Sequence, residues 1–177
     1  MSEIAFPRQK AFDWAVGKIR RQGQASLSKS LGCDYFGQGG RRCAIGWLLP
    51  KDSYFRESAR YVDDILAGDH LVAEQFCQEV GGVLDCSPES VLADRDFLRD
   101  LQDLHDRAAI VVRRCFGDIA QFRTASPETC PVIKAKKLAR ALPAVFMATF
   151  LELAGIFAKA YDLDPAVITK PLEELPT

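Results

Sequence analysis

At 177 residues the chain has the length of one domain, with room for a single substantial core. Hydrophobic residues make up 48% and charged residues 27%, both near the globular average. A formal net charge of −1 excludes a global field that would draw the chain to nucleic acid or an anionic membrane.

Charge is polarised along the chain all the same. Residues 51–106 hold 14 Asp/Glu against 5 Lys/Arg, whereas 107–140 hold 8 Lys/Arg against 2 Asp/Glu. Such segments form solvated helix faces, and a one-signed face can steer a charged protein partner. The opening "MSEIAFPRQKAFDWAVGKIRR" has no basic stretch leading into an apolar one, so no secretory signal is read and a cytoplasmic setting is expected. In that setting the six cysteines (33, 43, 77, 86, 115 and 130) are expected as thiols. None is spaced as C-x-x-C, and with histidine only at 70 and 105 no metal site or cofactor is expected.

The first predicted helix covers about 7–22, with Phe12, Ala15, Val16 and Ile19 on one face and Gly23 as its stop. "GQASLSKSL" (23–31) reads as a connector. "GCDYFGQGGRRCAIGWLLP" (32–50) follows, in which "CDYF" and "RCAIGWLL" read as short β-type runs around a glycine turn. Helices are then predicted over about 53–66, over about 69–80 with a stop at Gly81-Gly82, and over 88–116 with a break near Ala93-Asp94. "SPES" (87–90) and "SPET" (126–129) each place Ser, Pro and Glu as an N-cap and first turn. The last long helix is predicted over about 132–161, before a proline-punctuated tail. No low-complexity linker divides the chain. The expected fold is therefore mainly α: a single compact helical domain with a small β-hairpin near 33–46.

"ALPAVFMATFLELAGIFA" (141–158) has nearly the length of a membrane span. Thr149, Glu152 and Lys159 draw a polar stripe along it, so a core helix is expected and no membrane partner. The basic "KAKKLAR" (134–140) lacks interleaved aromatics, so no direct nucleic-acid contact is expected.

Two chemical readings of the central motif compete. "GQGG" lacks the G-x-x-x-x-G-K-[ST] pattern and its strand-to-helix setting, which argues against a phosphate loop. Cys43 follows Arg41-Arg42, whose charge favours a thiolate, and His105 with Asp106 completes the inventory for thiol catalysis. Neighbouring residues on a helix point about 100° apart, however, so Asp106 is not expected to orient His105.

The paired blocks Cys33, Tyr35, Arg42-Cys43-Ala44-Ile45-Gly46, Leu48-Leu49-Pro50 and Leu101-Gln102-x-x-His105-Asp106, preceded by Gln22-Gly23, resemble a pattern in small uncharacterised bacterial and phage proteins. The resemblance covers roughly residues 8–108; the remaining helical extension, about 109–177, has no counterpart. Trp47 and Phe36 depart from the pattern. What the resemblance implies is a compact helical fold with a hairpin and a bacterial or phage origin, and no activity. Recurrence of both blocks implies that they pack together: Gly46 for close approach, and Tyr35 with Gln102 or His105 for hydrogen bonds.

By elimination the expected function is a non-enzymatic protein-binding module, an inhibitor or immunity-type antagonist. Its alternative is the thiol-dependent enzyme of Cys43, His105 and Asp106. The partner surface is expected at Asp63, Asp64, Asp96, Asp100 and Asp103, which would favour a basic protein.

Overall fold

The computed structural model describes residues 5–26, 34–58, 60–124 and 131–175, with backbone alone at 38, 57, 112, 113, 115–124 and 131–141. Helix α1 (Arg8–Gln22) buries Phe12, Ala15, Val16 and Ile19 on one face. It ends where Gly23 takes φ 67°, a left-handed conformation that costs glycine little, and donates its N–H to the Ile19 carbonyl.

The expected hairpin is absent. Among the described residues there is no strand, and a single antiparallel bridge joins Phe36 to Arg42. The loop between them winds through a 3-10 turn (Gln38–Gly40), and the chain then tightens into another (Gly46–Leu48). Two short runs without a third strand cannot satisfy their outer edges. Here side chains from the α1 end of the molecule satisfy the backbone instead.

The predicted helix over 53–66 divides in two, a 3-10 turn (Tyr54–Glu57) and α2 (Val62–Leu66). Helix α3 (His70–Leu84) starts at Asp69, whose carboxylate accepts from the N–H groups of Leu71 and Val72. It runs through Gly81-Gly82 and stops at left-handed Asp85. Gly81 is there for contact rather than termination, because a Cβ would lie 2.7 Å from the Cys86 carbonyl oxygen.

Ser87 caps α4 (Pro88–Ala93), and Asp94 separates it from α5 (Arg95–Thr124) close to the predicted break. Arg8 forks onto Asp94, with Nε 2.7 Å from one carboxylate oxygen and Nη2 on the other, which locks the kink to the start of α1. The second predicted cap, "SPET", lies outside the described residues. Helix α6 (Pro131–Ala160) returns antiparallel to α5. The contacts set that direction, since Phe97 meets Phe157 near one end and His105 meets Phe146 further along. Short α7 (Ala166–Thr169) and a closing 3-10 turn (Leu172–Glu174) end the described fold.

The core is aromatic where the three longest-range elements meet. Phe157 stacks on Phe12 at 5.7 Å and sits edge-on to Phe97 at 5.2 Å. The α6 segment Leu142–Ala160 is long and apolar enough to cross a membrane, and a third of it is buried. Its buried stripe is Leu142, Phe146, Phe150, Ala154 and Phe157, while Ala144, Ala148, Glu152 and Lys159 face outward. It therefore packs by one face, and is not buried all round. The C-terminal part is no separate appendage: Arg20 donates to the carbonyls of Val167 and Lys170, and Arg21 to that of Leu175.

Candidate functional site

The two motif blocks meet in the interior. Gly46 lies so close to Tyr35 that a Cβ would stand 1.9 Å from the Tyr35 carbonyl oxygen and 2.7 Å from its carbon. No side chain fits there. Around this contact a set of polar side chains takes over what a ladder would have done. Gln22 accepts from the Arg42 N–H at 2.8 Å and donates to the Arg42 carbonyl at 3.1 Å. Ser26 Oγ accepts from Gly37 N–H and donates to the Asp34 carbonyl at 2.9 Å. Arg42 Nη1 donates to the carbonyls of Gly46 and Leu49, which holds the turn closed.

From α5, Gln102 and His105 both reach into this region. Gln102 Oε1 accepts from Val62 N–H at 2.9 Å and so caps α2, which has no capping side chain of its own. His105 is fully buried and its Nε2 accepts from Ser26 N–H at 3.2 Å. That bond assigns the ring proton to Nδ1, which faces Asp106 Oδ1 at 3.3 Å. Adjacent side chains do orient one another here, contrary to the expectation from helix geometry. A wide contact at 3.3 Å needs less convergence than a short bond, and burial confines both groups.

Tyr35 behaves differently from expectation. Its ring is 2% exposed, and its hydroxyl has no hydrogen-bond partner among the described residues. Burial, with Cys43 and Asp106 nearby, raises its pKa well above the ordinary phenol value. Cys33 lies outside the described residues.

Cys43 is 1% exposed, and its Sγ accepts from Gly46 N–H at 3.3 Å. Burial pushes the thiol up, and the Asp106 carboxylate pushes it further, which is the reverse of what Arg41-Arg42 implied. Cys77 is likewise pushed up by burial, to about 11. Cys43, His105 and Asp106 thus share one neighbourhood, yet the thiol and the imidazole Nε2 are each engaged with backbone N–H groups. Among the described residues no cluster of His, Cys, Asp and Glu could hold a metal ion.

Several acidic residues of 51–106 gather around two arginines. Arg99 reaches Asp96 at 2.7 Å, Asp100 at 3.0 Å and Asp63 at 3.9 Å. Arg107 reaches Asp103 at 3.3 Å. Asp64 and Asp96 are exposed, while Asp63, Asp100 and Asp103 are half-exposed. Asp100 also accepts from the Tyr161 hydroxyl at 2.7 Å. This last bond marks a feature that periodicity could not reveal. Between α5 and α6 runs a groove of about 280 Å³, with Leu104, Leu153, Ile156 and Phe157 along it and Asp100 and Asp103 at its edge. Ile156 is 61% exposed there.

Compared with protein-family models, with curated proteins and with solved structures, the chain matches none.

Proposed function

We propose that the chain is a non-enzymatic protein-binding module, an inhibitor or immunity-type antagonist in a bacterial or phage setting, which holds a basic amphipathic segment of its partner in the α5–α6 groove. The observation that carries this reading is Ile156, a large apolar side chain left 61% exposed in a groove whose charged lining is Asp100, Asp103 and Arg107, a net excess of one carboxylate. An apolar anchor beside carboxylates complements a segment with apolar residues on one side and Lys or Arg on the other. The paired state of the acidic residues refines the reading. Asp63, Asp96 and Asp100 share the one Arg99 and Asp103 pairs with Arg107, so with Asp64 these carboxylates outnumber the two guanidiniums and the face keeps a net negative steering charge. The bacterial or phage setting rests on the resemblance of the two motif blocks.

The test uses a partner captured from the native host and then purified. Ile156→Glu should weaken binding by about 2 kcal/mol, mostly through faster dissociation. Reversing Asp64, Asp100 and Asp103 together should slow association at low salt and less so at high salt. Binding that both variants leave intact would move the interface off the groove. Native-state alkylation addresses the thiol alternative: slow labelling of Cys43 agrees with its burial, and fast labelling at neutral pH would revive it.

A further inference from the structure

On the face formed by the bridged loop and the turn after it lies a cleft of about 450 Å³, lined by Asp34, Phe36, Arg41, Arg42, Lys51 and Arg56 with loop glycines. Four of those side chains are cationic and one is acidic. Arg42 and Arg56 are braced in place. The Arg42 guanidinium lies 4.3 Å over the Phe36 ring while its Nη1 holds two carbonyls, and Arg56 donates to the Lys51 carbonyl and lies 5.8 Å from the same ring. Among the described residues, Arg42, Lys51 and Arg56 form no salt bridge. Their charges therefore act on one another. Burial lowers the Arg42 pKa and the charge of Arg56 lowers it further. Asp34, the one carboxylate in the wall, forms no salt bridge with them among the described residues, and burial raises its carboxyl above the ordinary range.

Holding guanidinium and ammonium groups together without a counter-charge costs stability, and a bound anion would return it. The geometry points to a binding site for a small phosphate-bearing molecule with at least two negative charges, gripped by Arg42, Lys51 and Arg56 with Arg41 at the rim. The cleft falls within the usual size range of small-molecule sites, so it has room for the body that carries the phosphate groups. A nucleic-acid backbone is the poorer fit. The flanking segment 51–106 is strongly acidic and would repel the phosphates of a chain that runs on beyond the cleft. The glycine loop thus serves by exposing side chains, with no phosphate loop of backbone N–H groups.

Pyrophosphate and ATP, without added magnesium, are the probes, followed by calorimetric titration and melting temperature at physiological ionic strength. Both should bind and raise the melting temperature. Lys51→Gln and Arg56→Gln should each weaken binding about ten-fold while leaving the free protein as stable or more so. Asp34→Asn, which removes the one negative wall charge, should tighten it. The proposal is overturned if neither probe binds, if both charge-removing variants bind as well as the parent, or if a thymidine oligonucleotide binds and ATP cannot displace it.

Discussion

The bridged loop and the acidic face of α5 are both rich in polar groups, and they satisfy them in opposite ways. In the loop region, Gln22, Ser26, Arg42, Gln102 and His105 spend their hydrogen bonds on backbone atoms, mostly out of water. On α5, Asp63, Asp96 and Asp100 gather around Arg99 at the surface, where the side chains are 40–68% exposed. A lost backbone partner in the first region leaves a buried donor unsatisfied, which is expensive; a lost ion pair in the second leaves a carboxylate that water takes over. Polar content alone does not say where the fold is vulnerable. Accessibility to water does.

The sharpest way to break that comparison is at Gly46. With a Cβ position 1.9 Å from a carbonyl oxygen, Gly46→Val must pull the turn off Tyr35 and should cost more than about 4 kcal/mol, enough to prevent folding in many domains. Gly82→Val is the control: nothing lies within 4 Å of its Cβ, and chemical denaturation should register far less loss. Gln102→Ala should come next, at about 2–3 kcal/mol, because it strands the Val62 N–H inside the protein. An equal loss in Arg99→Ala would erase the distinction between the two regions.

The smallest effect concerns Tyr35. Its hydroxyl is buried and unpartnered, so Tyr35→Phe should change stability at neutral pH by less than about 1 kcal/mol, with either sign. Its consequence appears in alkali. In the folded protein Cys43 and Tyr35 keep their protons above their ordinary values of 9.0 and 10.0. As pH rises past those values the unfolded chain loses protons that the folded chain retains, so the stability present below about 9 is lost above it. Thermal melts across this range should show a shallower decline for Tyr35→Phe than for the parent, and parallel curves would contradict the burial of the phenol.

Helix ends were legible where a local residue decides them. Gly23 and Ser87 act within one turn of themselves, and both stand where their residue types imply. Gly81 misled because glycine serves termination and close approach alike, and only the neighbouring Cys86 carbonyl tells which. The hairpin misled for a related reason. Its glycines do supply turns, with Gly39 at φ 69° and Gly40 at φ 75°, but strand formation depends on partners. The partners here are Gln22 and Ser26, which no period of two could announce. Arg99 could have been found, since Asp96, three residues before it, and adjacent Asp100 are within reach of its long side chain. The basic cleft could not, because Lys51 and Arg56 join Arg41 and Arg42 only after the chain has turned at Pro50.

The stacking of Phe12 on Phe157 has a temporal side. Helix α1 leaves the ribosome well before the ring that covers its apolar face is made. Gln9 waits as long for its partner, the Asp164 backbone, to which it bonds through both N–H and carbonyl. Contacts between residues so distant in sequence close large loops, and such topologies fold slowly. Until α6 emerges the nascent chain therefore carries an apolar stripe without its Phe157 cover, a surface that invites aggregation or chaperone capture.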